Sequence, residues 1–333
     1  MKKKIGVFIM ALVLVISTLF AAGCSGSTDS TSSDNSKNQA IRIAALKGPT
    51  GMGMAKLMED KQDYNITLYD SPDQITSKLI NGELDGAAVP SNLASILYNK
   101  TKGVVKVVGI NTLGVLYIVE NGSAVKNIAD LRGKTIYSSD KGAAPEFILN
   151  YILRKNGLEP GKDVIVDYKM NHSDLAAAVS SQKVNLAVLP EPFVTTVKMK
   201  DKSLQVPINL TEEWNKASGG QSKLAMGTIV FRKSFIDKRG KDLDKFLSKY
   251  KDSVNFVNSN KSEAGKLIQK YGILPKAKVA EMAIPRSNMV FINAKDGKQI
   301  LQKFYEVLYQ SDPKSVGGKI PDENFYYSGN NGN

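Results

Sequence analysis

The side chains that usually perform covalent or metal chemistry are scarce in this sequence. Its 333 residues include a single cysteine, Cys24, and a single histidine, His172. A disulfide framework or a cysteine-based zinc site needs several cysteines, and most serine or cysteine hydrolases pair the nucleophile with a histidine. We therefore predict no catalytic residue, no bound metal and no cofactor, and we expect that the protein is not an enzyme.

Small and polar residues instead gather where predicted strands end and helices begin. In α/β sheets, ligands bind beyond the carboxyl ends of the strands, near helix N-termini. Main-chain, hydroxyl and amide groups at such turns suit hydrogen bonding to a compact polar solute. The predicted ligand-binding residues are Pro49, Thr50, Gly51, Met52, Gly53, Asp70, Ser71, Ser91, Asn92, Asn111, Thr112, Ser138, Ser139, Ala143, Ala144, Asn171, His172 and Glu191.

The glycine-rich turn at residues 48–53 has two interpretations. It lacks the Gly-Lys-Ser/Thr ending of a P-loop and the glycine order of a dinucleotide fingerprint, so no nucleotide site is predicted. It is either a tight turn that starts a helix or a loop that faces the solute, and we favour the second because helix N-termini stabilise anions. Gly51 would then let the main chain approach the solute, so Gly51→Ala should weaken binding in a folded protein. Of Met52 and Met54, one is expected to line the cleft and the other to pack in the core.

The charged and aromatic candidates also keep two interpretations each. Asp70 and Glu191 either accept a hydrogen bond from an amine of the solute or pair with a Lys or Arg. His172 either contacts the solute or lies at the surface beside a helix start. We expect Trp214 to pack against other side chains rather than to stack on a ligand.

The N-terminus has the pattern of an export signal. Lys2, Lys3 and Lys4 precede an apolar run at residues 5–20, which is short for a membrane span. Small residues at 21–23 then precede Cys24, and this order resembles the bacterial lipobox, with Ala21 where that motif prefers Leu. We predict a signal peptide at residues 1–23, lipid on Cys24, and a polar, disordered tether at residues 24–39.

The formal charge of +13 suggests an anionic partner, but export narrows the choice. Removing residues 1–23 removes three Lys and no acidic residue, so the mature chain carries +10. The basic residues are scattered rather than interleaved with aromatic residues in one stripe, so we predict no nucleic-acid partner. A secondary attraction to anionic lipid or wall polymers is the alternative to a merely solvated surface.

From residue 41 onward, short apolar runs alternate with helical patterns, which predicts an α/β fold. The first elements are a strand at residues 41–46 and a helix from about Met52. Asp242 is expected to cap a later helix whose apolar stripe includes Tyr250.

The segment 84–90 is echoed by the segment 184–190, and a helical pattern precedes each. We therefore predict two similar lobes with doubly wound sheets, joined by a two-crossing hinge that permits closure. Lobe 1 is split between residues 40–119 and 229–328, and lobe 2 spans residues 120–228. The alternative is that the two segments resemble each other only because α/β units have similar compositions.

Several segments in this order are similar to a known group of proteins. They are the lipobox, residues 48–53, 79–85, 131–136 and 189–192, and the ending 319–327. The pattern resembles the type II periplasmic-binding-protein fold, and within it the nitrate/sulfonate/taurine and thiamine-precursor group of ABC-importer solute-binding lipoproteins. The resemblance spans roughly residues 41–327.

This resemblance implies capture of a small polar organic or anionic solute, such as a sulfonate, nitrate or a thiamine precursor. It further implies delivery to an ABC permease with its ATPase subunit, by a monomer anchored through lipid on the extracytoplasmic face of the cell membrane. One alternative is an enzyme like the pyrimidine-precursor synthase of the same superfamily, but the cysteine-rich motif of that enzyme is absent. The other alternative is a surface lipoprotein without a transport role.

Overall fold

The computed structural model describes residues 39–139, 141–142 and 144–329. The predicted signal peptide, Cys24, all of the predicted tether except Gln39, and Ala143 lie outside the described residues. The strands are β1 Ile41–Leu46, β2 Tyr64–Tyr69, β3 Gly86–Pro90, β4 Val105–Thr112, β5 Leu116–Glu120, β6 Thr135–Tyr137, β7 Ile165–Asp167, β8 Leu186–Pro190, β9 Gln205–Asn209, β10 Gly227–Arg232 and β11 Met289–Asn293. The helices are α1 Pro49–Met52, α2 Asp73–Asn81, α3 Ser91–Lys100, α4 Ala144–Lys155, α5 His172–Ser180, α6 Phe193–Lys200, α7 Leu210–Ala217, α8 Lys233–Ser259, α9 Lys261–Lys270, α10 Ala277–Ala283 and α11 Ala294–Ser311.

The first sheet has six strands in the order β11-β4-β10-β3-β1-β2. Strands β1, β2 and β3 pair in parallel, whereas β10 runs antiparallel to both β3 and β4. The inner strands β1, β3 and β4 are almost wholly buried, because helices cover both faces of a sheet of parallel strands. The near-continuous apolar runs of these strands reflect that burial.

The second sheet has five strands in the order β7-β6-β8-β5-β9. Strand β6 is parallel to β7 and β8, and β5 runs antiparallel to β8 and β9. Five strands of the first sheet repeat this arrangement, with β3 at the place of β8 and β10 at the place of β5. The prediction of an α/β fold with two similar doubly wound halves is therefore confirmed, and the two echoed segments contain the equivalent strands β3 and β8.

The strands divide between the two sheets at slightly different residues from those predicted. Residues 116–119 were assigned to lobe 1, but β5 pairs with β8 in the second sheet, with Tyr117 opposite Leu189. Residues 227–228 were assigned to lobe 2, but they open β10 in the first sheet. We call the first sheet with its covering helices the first lobe, and the second sheet with its helices the second lobe. The chain passes from the first to the second at residues 113–115.

Two helical regions differ from the sequence pattern. The helix predicted from about Met52 is instead the short α1, and Met52 and Met54 are both fully buried in the core, so neither is exposed to a cleft. Helix α8 begins well before Asp242, and Arg239 has non-helical backbone angles within it. The ion pair of Arg239 with Asp242, at 2.6 Å, spans this interruption.

Helix α7 links the two lobes after β9. Its Trp214 is fully buried between Tyr151 of α4 and Phe304 of α11, with ring centroids 4.8 Å and 5.6 Å away. The indole N–H donates to the carbonyl oxygen of Ser222 at 3.1 Å. The expectation that Trp214 packs against other side chains is therefore confirmed. In the part of the chain that the structure describes, no helix combines the length and the apolar character needed to cross a membrane.

Candidate functional site

The carboxyl edges of the parallel strands in the two sheets lie close together. Three residues connect the end of β4 to the start of β5, which limits the separation of these two points to about 14 Å. A side chain placed at Gly48, after β1, would lie 3.9 Å from the ring of Pro192, after β8. Turns from both lobes therefore meet at this edge, as the sequence analysis predicted.

Several buried polar side chains at these edges have no hydrogen-bond partner of good geometry within the described residues. We call them the polar cluster. It contains Ser91, Asn111, Thr112, Thr228 and Tyr250 on the first lobe and Ser138 on the second. Buried polar groups are nearly always hydrogen-bonded in proteins, so these groups can bond to a solute that enters at this edge.

Strand pairing places the members from the first lobe side by side. Gly227, the first residue of β10, lies between Pro90 at the end of β3 and Thr112 at the end of β4. Ser91 follows Pro90 directly, and its N–H donates to the carbonyl oxygen of Met226 at 3.0 Å. The hydroxyl of Ser91 is left without a partner, as is that of Thr112.

Asn111 and Tyr250 occupy the space beside two glycines. A Cβ atom at Gly227 would overlap the Asn111 amide oxygen, and one at Gly53 would lie 2.8 Å from the Tyr250 hydroxyl. Burial raises the pKa of Tyr250, and the nearby Asn111 side chain opposes that rise. Both polar atoms of the Asn111 amide lack a partner of good geometry. The absence of side chains at these two glycines leaves room for Asn111 and Tyr250.

The polar cluster contains no ionisable side chain that is charged at neutral pH. Among the described residues, the buried charged side chains are Asp85, Glu120 and Glu191. Asp85 binds Arg42 at 2.6 Å, Glu120 accepts the Val125 N–H at 3.1 Å, and each therefore has a structural partner. The cluster therefore offers neutral donors and acceptors rather than a fixed charge.

Glu191 has a partner that the sequence did not reveal. Its carboxylate is fully buried and lies 2.8 Å from Nε of Arg286, while the Thr195 N–H donates to its other oxygen at 3.2 Å. Burial raises the pKa of the Glu191 carboxyl, and the Arg286 guanidinium opposes the rise. Of the two interpretations of Glu191, a hydrogen bond to the solute or a pair with Lys or Arg, the structure shows the second.

The turn at residues 48–53 is held by packing. A Cβ atom on Gly51 would lie 2.7 Å from the carbonyl oxygen of Leu46, and Gly51 has no left-handed backbone angle. The Thr50 hydroxyl donates to the same carbonyl oxygen at 3.0 Å, and Pro49 is half-buried. Gly51→Ala is therefore expected to disturb the fold, contrary to the sequence expectation that this variant would stay folded.

Of the remaining candidates of the first lobe, Asp70 and Ser71 lie apart from the polar cluster and Asn92 lies beside it. Asp70 is largely exposed and pairs with Lys47 at 2.8 Å, so it belongs to a surface ion pair. The N–H of the neighbouring Ser71 donates to the Gln74 side chain at 3.3 Å. Asn92 is buried in the first turn of α3, next to Ser91.

The other second-lobe candidates form two local contacts. The Ser139 hydroxyl is buried and lies 2.6 Å from Nδ1 of His172, whose ring packs on Phe193 with centroids 5.7 Å apart. Asn171 caps α5, because its side-chain oxygen accepts the Asp174 N–H at 2.9 Å. Ala144 is buried at the start of α4. Of the predicted residues, the polar cluster includes Ser91, Asn111 and Thr112 on the first lobe and Ser138 on the second.

Sequence reasoning missed Thr228, Tyr250 and Arg286. Tyr250 was included in the apolar stripe of α8, and its ring does pack there, with the Phe246 centroid 6.0 Å away. Only the hydroxyl enters the cluster, and no sequence pattern distinguishes it. A signal for Thr228 was available, since it follows Gly227 at the start of a strand that returns to the first sheet.

Comparison with known proteins agrees with this architecture. Residues 54–215 match the family model for the phosphonate ABC transporter periplasmic substrate-binding protein. A crystal structure of an ABC transporter protein from Parabacteroides distasonis is 25% identical, with a TM-score of 0.75, and the match covers 86% of this chain and 98% of that one. Both matches support a periplasmic solute-binding component of an ABC transporter.

Two further solved structures share the fold of this chain. The periplasmic aliphatic sulphonate binding protein SsuA from Escherichia coli is 19% identical, with a TM-score of 0.69 and coverage of 87% of this chain and 92% of that one. The periplasmic nitrate-binding protein NrtA from Synechocystis PCC 6803 is 15% identical, with a TM-score of 0.55 and coverage of 75% and 70%. A search of curated protein sequences finds no match. The predicted type II periplasmic-binding fold and the resemblance to this group of importers are confirmed.

Proposed function

We propose that the protein captures a compact solute bearing an oxoanion group, such as a sulfonate, nitrate or a phosphonate, between the facing edges of its two lobes. It then delivers the solute to the permease and ATPase subunits of an ABC importer. The observation that carries this proposal is the polar cluster, because its buried hydroxyl and amide groups lack partners that a bound solute would supply.

An oxoanion fits a cluster without a cation for two reasons. The hydroxyls of Ser91, Thr112, Thr228 and Tyr250 and the Asn111 amide are all able to donate hydrogen bonds. Helix α3, with ten residues, also begins at Ser91 and has no side chain capping its first N–H groups. The partial positive charge of that helix end stabilises a negative group beside it.

A heterocycle resembling a thiamine precursor is the second candidate. The observation in its favour is Asn111, whose amide presents an unpartnered donor and an unpartnered acceptor together. A pyrimidine ring with an amino group offers the complementary pair. An alkyl sulfonate has no donor for the Asn111 oxygen.

A thermal-shift screen across alkylsulfonates, nitrate, phosphonates and aminopyrimidines tests both candidates, because a solute that binds the native state raises its melting temperature. Calorimetric titration of a hit should then show weaker binding by Thr112→Val, which removes an unpartnered hydroxyl. Thr101→Val is the matched control, since its hydroxyl donates to the Leu97 carbonyl at 2.6 Å at the far end of α3. Equal affinity in both variants would contradict the proposed site.

We also propose that lipid on Cys24 holds the protein, as a monomer, at the extracytoplasmic face of the cell membrane. The order of basic, apolar and small residues before Cys24 supports this proposal. Mass spectrometry of protein from the producing cell should find lipid on Cys24, and Cys24→Ser should release the protein or leave it unprocessed. An unmodified Cys24 in the mature protein would exclude the anchor without affecting the solute proposal.

A further inference from the structure

The segment between α10 and β11 connects the first lobe to the second through side chains. It includes the 3-10 turn Ile284–Arg286. Nε of Arg286 lies 2.8 Å from the Glu191 carboxylate, which follows β8 of the second lobe. The Tyr117 hydroxyl, on β5 of the second lobe, donates to the Arg286 carbonyl oxygen at 3.3 Å. Arg286 is therefore held by two elements of the opposite lobe.

The same segment also contacts the chain crossing at residues 113–115. The Leu113 N–H donates to the Asn288 carbonyl oxygen at 3.0 Å, and the Asn288 amide donates to the Gly114 carbonyl oxygen. On the other side of the crossing, the Glu191 N–H donates to the Val115 carbonyl oxygen at 3.0 Å. Glu191 and Asn288 thus flank the connection about which the lobes would move.

The two members of the ion pair differ in their exposure to water. The Glu191 side chain is 0% exposed, whereas Arg286 keeps 36% of its side-chain surface. A fully buried carboxylate without a cation carries a large desolvation cost, but a half-exposed guanidinium recovers water more easily. Losing Arg286 should therefore disturb the protein more than losing the charge of Glu191.

We propose that Arg286 is a positioning residue whose ion pair with Glu191 fixes the angle between the two lobes before any solute binds. If the pair is broken, the buried carboxylate regains water only when the turn containing Glu191 separates from the first lobe. The population of separated lobes then rises. The inference rests on the proposed function for its purpose, since this angle sets the width of the site, but the effect itself is measurable without solute.

The chain contains a natural reporter of the lobe angle. Trp214 is its only tryptophan and packs between rings from the two lobes, Tyr151 and Phe304. Intrinsic fluorescence therefore reports separation at that contact. Small-angle scattering gives the radius of gyration of the same samples.

The experiment compares the wild-type protein with Arg286→Met, Glu191→Gln and the double variant, all without solute. We expect Arg286→Met to increase the radius of gyration and to shift the Trp214 emission to longer wavelength. The double variant should change the radius of gyration and the Trp214 emission less than Arg286→Met does, because it leaves no buried charge that needs water. A role of Arg286 in packing alone would make the double variant at least as perturbed as the single one.

Arg132→Met is the matched control, because Arg132 pairs with Asp163 at 2.5 Å entirely within the second lobe. It should leave both readouts unchanged. If Arg286→Met fails to fold, Glu191→Gln still tests the proposal, because it removes the ion pair and keeps the size of the side chain. It should shift both readouts in the same direction but by less than an unpaired Glu191 would, because it leaves no buried charge that needs water. Wild-type values in every folded variant would overturn the proposal while leaving the solute screen, and hence the proposed function, unaffected.

Discussion

Replacing Tyr250 by Phe should change solute affinity and protein stability in opposite directions. The Tyr250 ring is fully buried in α8, and its hydroxyl has no partner of good geometry. Removing the hydroxyl keeps the ring contacts with Phe246 and Phe291. Tyr250→Phe therefore isolates one polar atom of the cluster.

The expected magnitudes follow from the cost of an unsatisfied buried group. A buried polar group without a partner costs about 1–3 kcal/mol, so the solute-free Tyr250→Phe protein should be as stable as the wild type or more stable by about 1 kcal/mol. A hydrogen bond between the hydroxyl and the solute contributes about 0.5–1.5 kcal/mol. Its loss should weaken binding about two- to twelvefold.

Denaturant unfolding of the solute-free protein and calorimetric titration with the solute measure the two effects. Tyr98→Phe is the matched control, because the Tyr98 hydroxyl donates to the Asp322 carboxylate at 2.6 Å. That variant should lose about 1 kcal/mol of stability and keep its affinity. If Tyr250→Phe instead loses stability as Tyr98→Phe does, its hydroxyl has a structural partner, Asn111 being the nearest, and the reasoning is refuted.

Three more predictions follow from individual contacts. Gly51→Ala should lower the free energy of unfolding by about 1–3 kcal/mol, because its Cβ would crowd the Leu46 carbonyl oxygen; an unchanged denaturation midpoint would contradict this contact. Gly227→Ala should weaken solute binding at least about tenfold, because its Cβ displaces the Asn111 amide, and calorimetry that finds wild-type affinity would place the solute elsewhere. Burial, followed by nearby carboxylates, raises the pKa of Tyr64 from 10.0 to about 12. Because the folded protein keeps this proton longer than the unfolded chain, the stability that it contributes is complete below pH 10 and is lost as pH rises toward 12. Melting temperatures should fall less steeply over this interval in Tyr64→Phe.

The sequence predicted strands that are almost wholly buried. Strand β1 was predicted at the residues observed, and β3 and β8 were found through the echo between residues 84–90 and 184–190. These strands read as apolar runs because helices cover both faces. The strand β5 was assigned to the wrong lobe, because its pairing of Tyr117 with Leu189 is set by residues far apart in the chain.

The candidate site divides in the same way. Ser91, Asn111, Thr112 and Ser138 were predicted because each lies at or just after the end of a parallel strand, where the topology of α/β sheets brings polar groups together. Tyr250 and Arg286 come from helical elements far along the chain and reach the edge only through tertiary packing. Local pattern does not contain that information, so these two residues required the structure.

The positions of β10 and β5, the strands by which the chain enters the first and the second lobe, explain why lobe motion and solute binding would be coupled. In each sheet, one antiparallel strand lies next to the parallel strand of the echoed segment: β10 beside β3, and β5 beside β8. Each of these two strands begins opposite the proline that ends the neighbouring strand. Gly227 of β10 lies opposite Pro90 of β3, and Leu116 of β5 lies opposite Pro190 of β8. The chain therefore enters each lobe at the carboxyl edge of the parallel strands, where the polar cluster also lies. A rotation about these entry points changes the spacing between cluster residues of the two lobes, so a solute that bridges them would select one lobe angle.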